Sequence, residues 1–106
     1  MTTVYLIESY IEGLTYYKIG FTRAKDPTRR LKQLQTGSVN DLKVLKVFRT
    51  KYGTKLEKTL HRRYQSYKVR DEWFDLPVEL VENFQDKCKQ IEDNFDILTN
   101  NNVDIL

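Results

Sequence analysis

Five side chains in the first two-thirds of this 106-residue chain carry groups able to act on a ligand: Tyr5, Lys18 within Lys18-Ile19-Gly20, Arg30, and the pair Glu57 and His61. Arg30 has a planar fork that matches the oxygens of a phosphate and keeps its charge at every relevant pH. His61 falls one helical turn after Glu57 and so shares its face, where it could carry a proton or touch an anion. Each residue also has an ordinary explanation. Thr54 to Glu57 has the Thr-x-x-Glu form of a capping box, in which the glutamate bonds back to the N-cap amide. Tyr5 fits a half-buried strand, Arg30 a solvated helix surface, and His61 a structural contact. Residue types alone put capping ahead of chemistry at Glu57.

The elements that must position these groups are legible in the pattern. Thr2 to Ile7 and Thr15 to Thr22 are β-branched and aromatic, with Glu12-Gly13 between them, which predicts a hairpin with a loop longer than two residues. Asp26-Pro27 starts a helix, with Asp26 as N-cap and Pro27 at the first helical position. Leu31 and Leu34 give that helix a buried stripe, and Gly37 ends it as a left-handed cap. Leu42 to Thr50 alternates as a third strand. Thr54 reads as the N-cap of a second helix running to about Tyr67, with Leu56, Leu60 and Tyr64 at fourfold spacing. Trp73-Phe74 and Leu76 form a short aromatic segment that Pro77 interrupts. Val78, Val81, Phe84, Cys88 and Ile91 then mark a third helix. Residues 93–106 read as an acidic, partly frayed tail after a domain spanning 1–92, although Ile97, Leu98, Val103 and Ile105 offer apolar contacts.

Length and composition set bounds. The chain is long enough for one domain with one core and no disulfide staples. Hydrophobic residues at 40% and charged residues at 31% exclude a disordered or membrane chain, and neither a transmembrane span nor a signal peptide is visible. Cys88 is the only cysteine, which excludes an internal disulfide or a cysteine-rich zinc site, fits a cytoplasmic setting, and reads as a core hydrophobe. The net charge of +3 conceals a division. Residues 1–70 hold 16 Lys or Arg against 5 Asp or Glu, a balance of +11, whereas residues 71–106 hold 2 against 10, a balance of −8. A basic front with an acidic tail points to a polyanion-binding face as readily as to a solvated mixed surface.

Thr3-Val4-Tyr5, then Lys18-Ile19-Gly20 after twelve intervening residues, then Arg30 within Arg30-Leu31-Lys32-Gln33-Leu34, then Glu57 with Leu60-His61 and Glu72-Trp73-Phe74, together resemble the GIY-YIG nuclease superfamily in its small phage and bacterial branch. The resemblance covers about residues 2–80. It implies an α+β domain with a three-stranded antiparallel sheet flanked by about three helices, agreeing with the pattern read independently. It implies a divalent-metal-dependent endonuclease, with DNA before RNA as substrate. Glu57 would hold Mg²⁺ or Mn²⁺, Tyr5 would act as general base or orient the attacking water, and Arg30 and Lys18 would stabilise the charged phosphoryl group, with His61 as proton carrier or phosphate contact. That role for Tyr5 needs neighbouring positive charge to perturb its phenol. Lys18 departs from the tyrosine usual at that position. It either assists Tyr5, binds phosphate itself, or yields its role to Tyr17. Gly20 reads as backbone clearance. Arg23, Lys25, Arg29, Lys32, Arg62 and Arg63 are candidate backbone-phosphate contacts, while Tyr16, Tyr52 and Trp73 are candidate stacking rings. Relatives of this kind draw specificity from an attached domain, so here a homodimer or a partner protein would supply it, in a phage or bacterial cytoplasm. The same features also fit a nucleic-acid-binding module that has lost its chemistry.

Overall fold

The computed structural model describes residues 1–100; the expectations for Val103 and Ile105 lie outside the described residues. Along the chain run β1 (Thr2–Ile11), β2 (Leu14–Thr22), α1 (Thr28–Thr36), β3 (Asp41–Thr50), α2 (Gly53–Arg63), a 3₁₀ turn (Gln65–Tyr67), β4 (Lys68–Arg70), β5 (Trp73–Phe74), α3 (Val78–Glu82) and α4 (Phe84–Asn100). The fold is α+β, as the sequence predicts. Its antiparallel sheet has the order β3-β1-β2-β5-β4, so β4 and β5 extend the expected three strands past β2.

The hairpin is tighter than its sequence pattern suggests. Ile11 pairs with Leu14, leaving a two-residue turn of Glu12 and Gly13, both at positive φ (50° and 81°). That is the backbone a two-residue hairpin needs to match strand twist. Strand alternation then sorts β1. Val4 and Leu6 face a core shared with Ile19, Leu56, Leu60, Phe74, Phe84, Cys88 and Ile91. Thr3, Tyr5, Ile7 and Ser9 point to the opposite face and are buried as well. Burying each large apolar side chain contributes roughly 1.5–3 kcal/mol. A register shift between Leu6 and Ile7 against β3 places Leu45 as the unpaired residue, packed on the core.

Helix boundaries differ from expectation for identifiable reasons. α1 begins after Pro27, and Asp26 Oδ1 accepts from Thr28 N at 2.9 Å and Thr28 Oγ1 at 2.6 Å, so Asp26 caps from one residue further out. Gly37 has φ −94° and is not a left-handed cap. None of the α1 residues is buried: Leu31 and Leu34 are only half covered, and the helix rides loosely on the sheet near β3. α2 starts at Gly53 with Tyr52 at its N-cap, and Leu56 N donates to Tyr52 O at 2.8 Å. The capping box therefore does not form, which frees Glu57. The helix stops at Arg63, short of Tyr67. The third predicted helix divides at Asn83 into α3 and α4, and α4 continues to Asn100 through residues that read as a fraying tail. Phe84, Cys88, Ile91 and Phe95 form its core stripe. No helix among the described residues is long and apolar enough to cross a membrane.

Candidate active site

Side chains directly opposite one another in an antiparallel pair share a face. Tyr5 stands opposite Gly20, Ile7 opposite Lys18, and β5 brings Trp73 opposite Lys18. Tyr5, Lys18 and Trp73 thus occupy one side of the sheet, and the loop before α1 is tied to it. Thr3 Oγ1 lies 2.9 Å from Ala24 O and 3.1 Å from Lys25 O, and Arg49 Nη1 donates to Thr3 Oγ1 at 2.8 Å. The Tyr5 ring lies against Gly20 so closely that a Cβ there would sit 2.5 Å from the phenol oxygen. Gly20 is clearance for the tyrosine. Burial pushes the Tyr5 phenol above the ordinary tyrosine value. The Arg30 guanidinium beside it pulls the other way, and the Glu72 and Glu57 carboxylates reinforce the rise.

Lys18 is almost wholly buried, at 6% exposure, and donates to Glu72 Oε2. Its Nζ also lies 5.7 Å from the centroid of the Trp73 ring. The backbone fixes the partner too, since Ile19 N donates to Glu72 O at 3.2 Å. Burial raises the Glu72 carboxyl, but the Lys18 hydrogen bond and charge, helped by His61, outweigh it and hold Glu72 below the usual glutamate range. Glu57 behaves oppositely. Burial first, then the charge and hydrogen bond of Glu72, push it from 4.5 to about 7. His61 Nε2 lies 2.8 Å from Ile19 O, a contact that requires Nε2 to donate, and 3.7 Å from Glu57 Oε1. Its ring packs edge-on against Phe74 at 5.0 Å. Nε2 is therefore the ring nitrogen that faces Glu57 while it donates to the Ile19 carbonyl.

One ligand atom each from Glu57, His61 and Glu72 fall within 4.8 Å of one another. Two carboxylates pressed together, one pushed to about 7 by burial and then by the other's charge, form a donor set that a hard divalent cation fits. Beyond Glu57 and His61 opens a cleft of about 680 Å³ between α2 and α4, rimmed by Lys55, Lys58 and Arg62 and floored by Phe95.

The other sequence candidates divide by place. Arg30 joins Tyr5, and its Nη1 also reaches Gln33 Oε1 at 3.4 Å. Arg23, Lys25, Arg29 and Lys32 are exposed along the loop and α1, while Arg62 and Arg63 are exposed on α2. Tyr17 pairs with Phe74 and packs on the core, away from Tyr5, with burial and then Glu8 and Asp75 raising its phenol. Cys88 is buried, its thiol pushed up to about 12 by burial, which suits a core hydrophobe. Glu72 and Arg49 have no role predicted for them by the sequence. The signal for Glu72 was the departure at Lys18: a buried lysine needs a carboxylate, and Glu72 opens the Glu72-Trp73-Phe74 segment. Nothing in the pattern marks Arg49.

No solved structure matches this chain. The uncharacterized protein 460R of Invertebrate iridescent virus 6 is 34% identical over 97% of the chain, and the chain spans 43% of that relative's length. The T5orf172 domain matches residues 2–89 and is a nuclease-related family, which suggests a nuclease-like or nucleic-acid-binding role. The chain belongs to the T5orf172 domain family.

Proposed function

We propose that this domain is a GIY-YIG-type endonuclease that hydrolyses phosphodiester bonds in nucleic acid with Mg²⁺ or Mn²⁺. The observation that carries the reading is the convergence of Glu57, Glu72 and His61, from two separate elements, beside the buried phenol of Tyr5. Glu57 and Glu72 would hold the cation, with the His61 imidazole beside them. When bound, such an ion supplies Lewis acidity toward a phosphoryl oxygen and toward water. Lys18 keeps Glu72 ionised for that task. Arg30 neutralises charge on the phosphoryl group, and Tyr5 orients the attacking water and takes its proton once added positive charge has lowered its phenol. The exposed basic side chains of α1 and its preceding loop hold the backbone without reading sequence. DNA is the favoured polymer, specificity comes from a second copy or a partner, and a single cysteine with a viral relative supports a cytoplasmic setting.

The test is cleavage of plasmid and single strands with Mg²⁺, Mn²⁺ or EDTA by wild type, Glu57→Ala and Tyr5→Phe. Metal-dependent cutting lost in both variants, by about 100-fold or more, is the expected result. A second reading, binding without turnover, draws support from Lys18 being committed to Glu72 and from the raised Tyr5 phenol. It expects salt-sensitive binding, no product with any metal, and unchanged or improved affinity in Glu57→Ala.

A further inference from the structure

A second cavity, of about 500 Å³, adjoins the candidate site on the same side of the sheet; Ser9, Tyr16, Asn40, Arg70 and Trp73 are among its walls. Register explains the grouping. Ser9 stands opposite Tyr16, Lys18 opposite Trp73, and Trp73 opposite Arg70, so the lining follows directly from the row that carries Tyr5 and Lys18. Trp73 belongs to both places: its ring contacts Lys18 Nζ and also borders the cavity. Tyr16 and Trp73 are half-buried, leaving ring surface uncovered, whereas Arg70 is exposed. Asn40 is held in place, its Nδ2 donating to Ser9 Oγ at 2.7 Å.

We propose that this cavity is a pocket for an unpaired nucleobase, on the strand whose backbone lies at Arg30 and Tyr5. The proposal rests on the nucleic-acid reading above and extends it to the substrate class: single-stranded, flapped or locally opened nucleic acid. Two aromatic rings give a base flat surfaces to stack on, while a fixed amide, hydroxyls and a guanidinium give its edge donors and acceptors. The volume lies within the range of small-ligand sites. A base inside a regular duplex is stacked on both faces and cannot present itself to such rings. Continuity argues for this occupant: Trp73 borders both the Lys18 site and the cavity, so a strand held by its phosphate at the one can place its next base in the other.

Trp73 is the only tryptophan, so its emission reports the pocket directly. In EDTA, the wild-type protein is titrated with single-stranded DNA, single-stranded RNA, the duplex of the same sequence, and an abasic single strand. Anisotropy of labelled strands reads binding in parallel. The expected result is saturable quenching by single strands, roughly twofold or more, with duplex and abasic strands binding through charge but leaving the emission unmoved. Whichever of DNA and RNA saturates at the lower concentration identifies the natural polymer. Tyr16→Ala should weaken single-strand binding about tenfold while retaining duplex affinity, which also shows that the variant is folded. Single strands that bind without moving Trp73 emission, or an abasic strand that quenches equally, would overturn the pocket alone. Absence of binding by every polymer would overturn the nucleic-acid reading with it.

Discussion

At the scale of single residues the centre of this protein is a carboxylate held in the wrong state for stability. Glu57 is pushed to about 7 by burial and by Glu72. Between the ordinary value of 4.5 and about 7, the folded protein retains a proton that the unfolded chain has released. The contribution of Glu57 to stability is therefore fullest below pH 4.5, falls as pH rises through that window, and is lost above about 7. Solvent screening at a partly wet site reduces the effect to about 1–2 kcal/mol. Glu57→Gln should accordingly raise Tm in EDTA at pH 8 by several degrees, with no gain at pH 4.5, while abolishing cleavage. Equal Tm shifts at both pH values would mean that the carboxylate pair is not strained. Sequence alone favours the opposite role for Glu57, as a cap, because Thr54-x-x-Glu57 has the right letters. Tyr52 takes the N-cap, so the helix begins early and turns Glu57 toward Glu72. A boundary shift of two residues, from Thr54 to Tyr52, decides between the two roles, and boundaries are what a periodic pattern specifies least.

Among the elements, the short ribbon of β4 and β5 matters most, although its sequence hardly announces it. Two or three residues are too few to display alternation, and Lys68–Arg70 is wholly exposed. The long strands and the core stripes were legible because Val4, Leu6, Leu56, Leu60, Phe84, Cys88 and Ile91 repeat over whole turns or strands. The ribbon joins β2 through just the pairs Tyr17 to Phe74 and Lys18 to Trp73 and the Ile19 N to Glu72 O hydrogen bond, yet it delivers Glu72 to the site and Trp73 to the neighbouring cavity. Its turn depends on Asp71, which holds φ 52°, a conformation that aspartate tolerates and β-branched residues do not. Asp71→Gly should leave stability within about 0.5 kcal/mol, whereas Asp71→Val should cost about 1–2 kcal/mol in urea unfolding. Because Glu72 follows directly, Asp71→Val should also weaken Mn²⁺ stabilisation of the fold. Identical unfolding curves for the two variants would show that the turn does not govern this edge.

At the scale of the whole molecule, a group of exposed basic side chains flanks Tyr5 and suits the polyanion proposed above. Arg23, Lys25, Arg29 and Lys32 lie exposed on the loop and helix that flank Tyr5, while α4 carries Glu92, Asp93 and Asp96, which are met locally by Lys89 and Lys51. Five of the 16 basic residues among the first 70, these four and Arg30, thus lie where a backbone would approach, and four of the ten acidic residues after position 70, Asp86, Glu92, Asp93 and Asp96, sit on α4. If about four phosphates are contacted, affinity for duplex should fall with a log–log salt slope of roughly −3 to −4, a loss of about 100-fold between 50 and 200 mM salt. Each α1-side contact removed should reduce the slope by about 1 and weaken all sequences alike, so Arg23→Ala combined with Lys32→Ala should bring it near −2. Lys89→Ala, which removes a charge already paired with Asp93 at 3.0 Å, should leave the slope unchanged. A slope that falls equally for both variants would mean that affinity follows net charge and not this face. A fall confined to the α1 side would make the basic loop and helix the surface on which the strand is laid before chemistry begins.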